Sequence, residues 1–235
     1  MSEAPPVLEF ADAVPPESDA GARSALRFAL RPGEWAMIET SDHLAGRLIA
    51  DLALGLIEPV SGAVRFLGRT WDSIPHDEAC ALRGLDTGRV FSGEGWVGNL
   101  DMDENVTLAI RHHESRPESE LRAAARDIAR RLGLPDIPDG RPAWISPRRL
   151  RMAQWARALQ RPRRLLVLEF PTEDTEVPDS ARLAAELRAA ARGGAALLWI
   201  GPDSAMWDDE WSPVARIHTG PAPASAPDTP PDQKR

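Results

Sequence analysis

Short apolar runs recur at 7–10, 25–30, 35–38, 64–66, 89–91, 165–168, 196–200 and 214–218, and each has the length and the Val, Ile, Leu, Phe or Trp content of a strand. Between them the periodicity changes to that of a helix. Residues 47–56 form one amphipathic stretch. A second, 117–132, places Leu121, Ile128 and Leu132 on one face, with Ser115 and Glu118 spaced as a capping box and Gly133 and Pro135 as stop signals. A third begins near Asp179, carries Leu183 and Leu187 on one face and ends at Gly193. Strands alternating with helices predict an α/β chain, with a mostly helical insert near 92–150.

Composition narrows the function classes. With 235 residues and 43% hydrophobic content the chain can bury a substantial core. Its net charge of −8 argues against a nucleic-acid partner. Cys80 is the single cysteine, so neither a disulfide framework nor a cysteine-based zinc site is available, and a reducing, cytoplasmic setting fits. Of the 28 basic residues only Lys234 is a lysine, and it lies at the far end of the chain. A mechanism built on a buried lysine is therefore excluded from the ordered part. The most apolar stretches, 48–57 and 194–200, are too short to cross a hydrocarbon layer about 30 Å thick, so contact with a membrane is expected only through a partner protein. Residues 1–6 lack the basic and apolar pattern of a secretion signal, and 221–235, rich in Pro, Ala and Asp, reads as a disordered tail behind one domain spanning 1–220.

Five segments in fixed order carry a family resemblance. They are Arg31-Pro-Gly-Glu34, the phrase Leu54-Gly-Leu-Ile-Glu-Pro-Val-Ser-Gly62, the stretch 99–108 containing Glu104-Asn-Val106, Ser146 with Ala156-Arg-Ala-Leu159, and Arg163-Arg-Leu-Leu-Val-Leu-Glu-Phe-Pro-Thr172. Together they resemble the nucleotide-binding subunit of an ABC transporter over nearly the whole ordered length. The resemblance implies a P-loop NTPase-like (RecA-like) core with a mixed sheet and an inserted helical subdomain. It also implies a transmembrane permease as partner, a homo- or heterodimer of ATPase subunits, and a location on the inner face of the membrane.

The positions that carry chemistry in that family differ here. The phosphate loop, G-x-x-x-x-G-K-[ST], uses glycines to wrap backbone N–H groups around phosphates, a lysine for the terminal phosphates and a hydroxyl for magnesium. Its counterpart reads Thr40, Ser41, Asp42, His43, Leu44, Ala45, Gly46, Arg47, followed by Leu48. Gly46 takes the lysine position and Arg47 the hydroxyl position, while Glu39 and Asp42 bring negative charge to an anion site. A rotation of about 100° per helical residue directs Arg47 away from the lysine direction. The magnesium-anchoring aspartate position holds Glu169, and the general-base position holds Phe170. Gly201 lies where the switch-histidine segment falls, the lid-loop glutamine is Ser92, and the 14–18 segment offers no aromatic for adenine.

The signature segment reads Ile145-Ser-Pro-Arg-Arg149; Ser146, Arg148 and Arg149 could face a nucleotide held by a partner, while Ser146-Pro147 also has the form of a helix start. Ser92 and Trp96, with Trp144 nearby, fall where the family forms its groove for the permease. Arg148, Arg149, Arg151, Arg161, Arg163 and Arg164 read as a solvated basic face, and His112 and His113 as exposed, with no metal site expected. The leading expectation is a degenerate subunit with no bound cofactor and no hydrolysis, serving a permease. The 99–113 stretch resembles the ATPases of MCE-associated phospholipid-trafficking importers. Two alternatives stand beside it: an atypical active ATPase using Mg-ATP through Glu169 and Arg47, and a soluble interaction protein outside transport.

Overall fold

A computed structural model describes residues 5–16, 25–93, 95–202 and 211–219. The strands divide into two hydrogen-bonded sheets. An antiparallel one contains β1 (Leu8–Val14), β2 (Leu26–Leu30), β4 (Ser61–Phe66) and the short β5 (Arg69–Thr70), in the order β2-β1-β4-β5. The other is wholly parallel and runs β6 (Thr87–Val90), β7 (Leu165–Glu169), β8 (Ala196–Gly201), β3 (Trp35–Glu39), β9 (Ala215–His218). The mixed architecture expected from the sequence is thus distributed over two sheets.

Burial follows the sheet type. β2 alternates buried and exposed residues, as a half-solvated antiparallel strand should. β7 and β8 are buried at every position because helices or the second sheet cover both faces. Successive residues of β7 serve opposite cores: Leu165 and Val167 join Phe10, Phe66 and Leu52 on one side, while Leu166 and Leu168 join Trp155, Trp199 and Leu187 on the other. The first core is closed by α1 (His43–Ala53) and α2 (His76–Asp86), and the second by α3 (Met102–His113), α4 (Glu118–Arg131), α5 (Pro147–Leu159) and α6 (Val177–Arg192).

Several boundaries differ from the expected ones. α1 begins at His43, four residues before the expected start at Arg47, because Asp42 caps it. Ser115 does not cap α4; Pro117 occupies that position without a side-chain hydrogen bond. Reciprocal capping boxes occur instead at Asp101 with Glu104 and at Glu176 with Asp179. The signature-like segment forms α5, which ends at Leu159. His113 is half-buried, with its imidazole lying where Gly84 lacks a Cβ, and burial lowers its pKa. The proposed tail at 221–235 lies outside the described residues.

Strand register defines the functional edge. Glu39 is level with Gly201, and Glu169 with Ile200, so the ends of β3, β7 and β8 meet at the carboxyl side of the parallel sheet, where open α/β sheets place ligands. Replacing Leu198, fully buried in the central strand, with alanine is expected to cost about 2–5 kcal/mol, seen as a lower urea midpoint with an unchanged slope.

Candidate functional site at the carboxyl edge of the parallel sheet

In the turn from β3 into α1 the amides of Asp42, Leu44, Ala45 and Gly46 are already engaged. Asp42 Oδ1 accepts hydrogen bonds from Leu44 N at 2.9 Å and Ala45 N at 3.2 Å, and the Gly46 amide donates to the Asp42 carbonyl at 2.9 Å. The Asp42 amide in turn donates to Thr40 Oγ1 at 3.1 Å. A carboxylate of the chain itself thus sits on the first-turn donors that would otherwise receive an anion.

Phe170 fills the space in front of this turn. Its ring stacks on His43, with centroids 3.9 Å apart and planes within 11°. A Cβ on Gly46 would stand 2.9 Å from Phe170 Cε2 and 3.1 Å from Ile200 Cγ2, so the absence of a side chain at 46 is what admits the ring. Phe170 itself holds φ +42, costing about 1–2 kcal/mol, and its amide donates to Ile200 O at 2.7 Å. Gly201 completes the fit, since a Cβ there would come within 3.3 Å of Phe170 Cα.

Beneath the ring lies a buried charge network. Glu169 is 1% exposed. Its Oε1 accepts from Arg89 Nε at 2.6 Å, and its Oε2 accepts from the Ser92 hydroxyl at 3.1 Å and the Ser92 amide at 3.4 Å. Arg89 also donates to Asp51 Oδ1 at 2.6 Å, while Arg47, largely exposed, approaches Asp51 at 3.8 Å. Arg47 therefore points along α1 toward Asp51, in keeping with the expected rotation away from the turn.

The signature-like helix α5 is fastened across the same edge. Arg148 makes a paired contact with the buried Asp179 of α6 at 2.6 and 2.9 Å. Arg151 donates to Phe91 O at 2.6 Å and to Glu173 at 3.2 Å; Gln154 accepts from the Phe91 amide at 2.8 Å and donates to Gly93 O at 3.0 Å. Arg157 donates to Gly95 O at 2.7 Å and lies over Trp96 at 4.3 Å, and burial pushes its pKa down to about 10. A cavity of about 320 Å³ remains between His43, Ser92, Trp96, Leu150, Arg151 and Asp174.

These contacts revise part of the sequence reading. Arg148, Arg149 and Arg164 are exposed, but Arg151 and Arg163 are buried, so the arginine cluster is a solvated face only in part; Arg163 holds the carbonyls of Gly84 and Leu85. Arg148 is bound within its own chain, and Ser146 occupies the cap position of α5 without a capping hydrogen bond. Arg149 is exposed, as are Ser41 and His43, whereas Leu48 and Ala45 are half-buried. Thr40 is buried, and Glu39 pairs with His218 at 3.0 Å. Ser92 and Trp96 do share a cavity, while Trp144 is 77% exposed. The sequence reading missed Arg89, Asp51 and Asp179; the available signal was an arginine inside the apolar run 89–91.

Comparison with known proteins places this arrangement. No protein-family model matches the chain. The pyoverdine export ATP-binding/permease protein PvdT of Pseudomonas entomophila is 26% identical over 178 residues, covering 76% of this chain and 27% of PvdT. The macrolide export ATP-binding/permease protein MacB of Nitrosomonas europaea is 28% identical over 174 residues, covering 74% of this chain and 26% of MacB. The bacterial ABC transporter cassette MJ0796, solved as a dimer, superposes with a TM-score of 0.77 at 15% identity over 90% of this chain and 94% of that one. The chain has the fold of an ABC cassette and is similar in sequence to the ATP-binding parts of these export proteins. Another ABC cassette, cbiO1 from Clostridium perfringens, gives a TM-score of 0.64 at 18% identity, covering 86% of this chain and 80% of its own. This ABC-type domain spans about a quarter of the length of the curated relatives it matches.

In this domain the Arg148 hydrogen bonds hold the Asp179 carboxyl below its ordinary pKa, about 3.9. The stabilisation is then fully present above that ordinary value and is lost as pH falls through the lowered one. Asp179→Asn is expected to lower the thermal midpoint at neutral pH, with the gap to the parent closing in strong acid. A gap that stays constant with pH would rule out the charge as its source.

Proposed function

We propose that this domain is a non-hydrolysing ABC subunit that serves a membrane permease as a structural or regulatory partner. The observation that carries the reading is Phe170, stacked on His43 and seated against Gly46. One ring takes the place of a proton-accepting base and also fills the space in front of the residue at the lysine position, and a phenyl group accepts no proton.

The residues present do not fit a magnesium-bound triphosphate. The first-turn donors are held by Asp42, the side-chain space at position 46 is filled, and Glu169 is bound to Arg89. The permease partner is supported by the relatives, which are named as export ATP-binding/permease proteins. Dimerisation, with a second copy or with an active subunit, is supported by the cassette solved as a dimer. Among the described residues no helix is long and apolar enough to cross a membrane, and the proposed place of the domain is on the inner face, held by the permease. The lipid-trafficking assignment rests on the 99–113 phrase, which forms the buried-Asn105 turn and α3.

Calorimetric titration of the domain with ATP and magnesium is expected to show no binding at millimolar nucleotide, and phosphate release no higher than the buffer rate. Tight binding without turnover would make the domain a nucleotide-holding, non-hydrolysing half of an asymmetric pair, whereas magnesium-dependent turnover lost in Glu169→Ala would establish the atypical ATPase instead. Gly46→Lys alone is expected to destabilise the fold without creating nucleotide affinity, because the new side chain meets Phe170. Gly46→Lys combined with Phe170→Glu should recover part of the lost stability, measured by thermal denaturation. Co-purification with a permease tests the transport assignment; isolation from membrane proteins under gentle extraction favours the soluble interaction protein.

A further inference from the structure

Buried acids need a partner, and the central acid of this fold has an unusual one. Glu169 at the end of β7 and Asp51 on α1 approach each other from different elements, and the Arg89 guanidinium from β6 lies between them, 2.6 Å from each. The Arg89 side chain is 8% exposed and the Asp51 side chain 16%, so the arrangement is largely shielded from water. Ser92 adds a hydroxyl to Glu169 Oε2, and the Phe91 ring lies 4.6 Å from the Arg89 guanidinium carbon.

The geometry points to Arg89 as a built-in counter-cation, occupying a position that two carboxylates and a hydroxyl would otherwise offer to a divalent metal ion. This rests on the reading that the site does not take a magnesium-bound nucleotide, and it names the side chain responsible at the cation position. Carboxylate and hydroxyl oxygens are the ligand types that hard divalent cations take. Removal of Arg89 leaves two acids faced by the exposed Arg47, 3.8 Å from Asp51, and by the more distant charge of Arg151 on Glu169. A buried pair of acids left without its cation is destabilising and is compensated either by a proton or by a replacement cation, and two carboxylates with a hydroxyl beside them offer the ligands for the latter. In the intact chain no replacement is needed, so the β6, β7 and α1 seam is neutralised without magnesium.

The test uses the whole chain in the absence of nucleotide. Manganese binding is followed by electron paramagnetic resonance, and thermal midpoints are recorded with manganese, magnesium or methylguanidinium. Arg89→Ala is expected to bind manganese at least about tenfold more tightly than the parent, and to gain stability from each of the three cations, while the parent gains none. Adding Glu169→Gln to Arg89→Ala should abolish the gain. Arg89→Gln keeps most of the side-chain volume and guards against a folding failure of the smaller variant. Recovery of folding in either variant only when a cation is supplied also supports the assignment. Manganese bound equally by parent and variants overturns it. So does the absence of binding in folded variants, and so does a failure of both variants to fold with any of the cations. Nucleotide binding by the parent, measured separately, would overturn the reading that the site takes no nucleotide without altering these outcomes.

Discussion

A carboxylate at the end of a covered parallel strand is the constraint around which this edge is built. Glu169 is almost wholly removed from water, and a charge in that position persists only when it is paired and its oxygens are hydrogen-bonded. Breaking such a pair by deleting one partner typically costs about 3–5 kcal/mol. Arg89 and Ser92 supply the pairing, and Asp51 accepts from Arg89 Nη1, so one acid dictates the residues at the ends of β6 and β7 and on one face of α1.

The same self-sufficiency extends outward from that centre. Asp42 satisfies the start of α1, Phe170 fills the hollow that Gly46 leaves, and Arg148, Arg151 and Gln154 tie α5 to the loops beside it. In an ABC-type fold these are the elements expected to meet a ligand or a partner. Here the side chains named have partners within the same chain, and those contacts hold the elements of the edge to one another.

The sequence made the architecture readable because strands and helices in this chain differ sharply in apolar period. Every long strand of the parallel sheet falls close to its expected place, and Glu169, Phe170 and Gly46 could be assigned by motif alignment. What stayed hidden depends on contacts between distant positions. Arg89 meets Asp51 and Glu169 across separations of 38 and 80 residues. Local spacing carries no trace of that pairing. The start of α1 was misplaced because its first turn, 43–46, lacks an apolar stripe, and the cap at Asp42 decides the boundary instead. The arginine cluster misled for a similar reason: an arginine reads as solvated until a distant carbonyl or carboxylate is found beside it, as Glu173 is for Arg151.

The strand order has a consequence for synthesis on the ribosome. β3 pairs with β8 and β9 and with no strand that precedes them. Four of its five residues are buried in the finished fold, including Trp35 and Ile38. As the chain emerges, β1, β2 and β4 can zip together early, whereas β3 waits for more than half of the polypeptide before its neighbours exist. At elongation rates of about 5–20 residues per second that interval lasts many seconds, during which an apolar strand with two unsatisfied edges is open to wrong partners. Acquisition of the native sheet is therefore coupled to completion of the carboxyl-terminal third, and early release or truncation before β8 leaves a nascent species prone to aggregate.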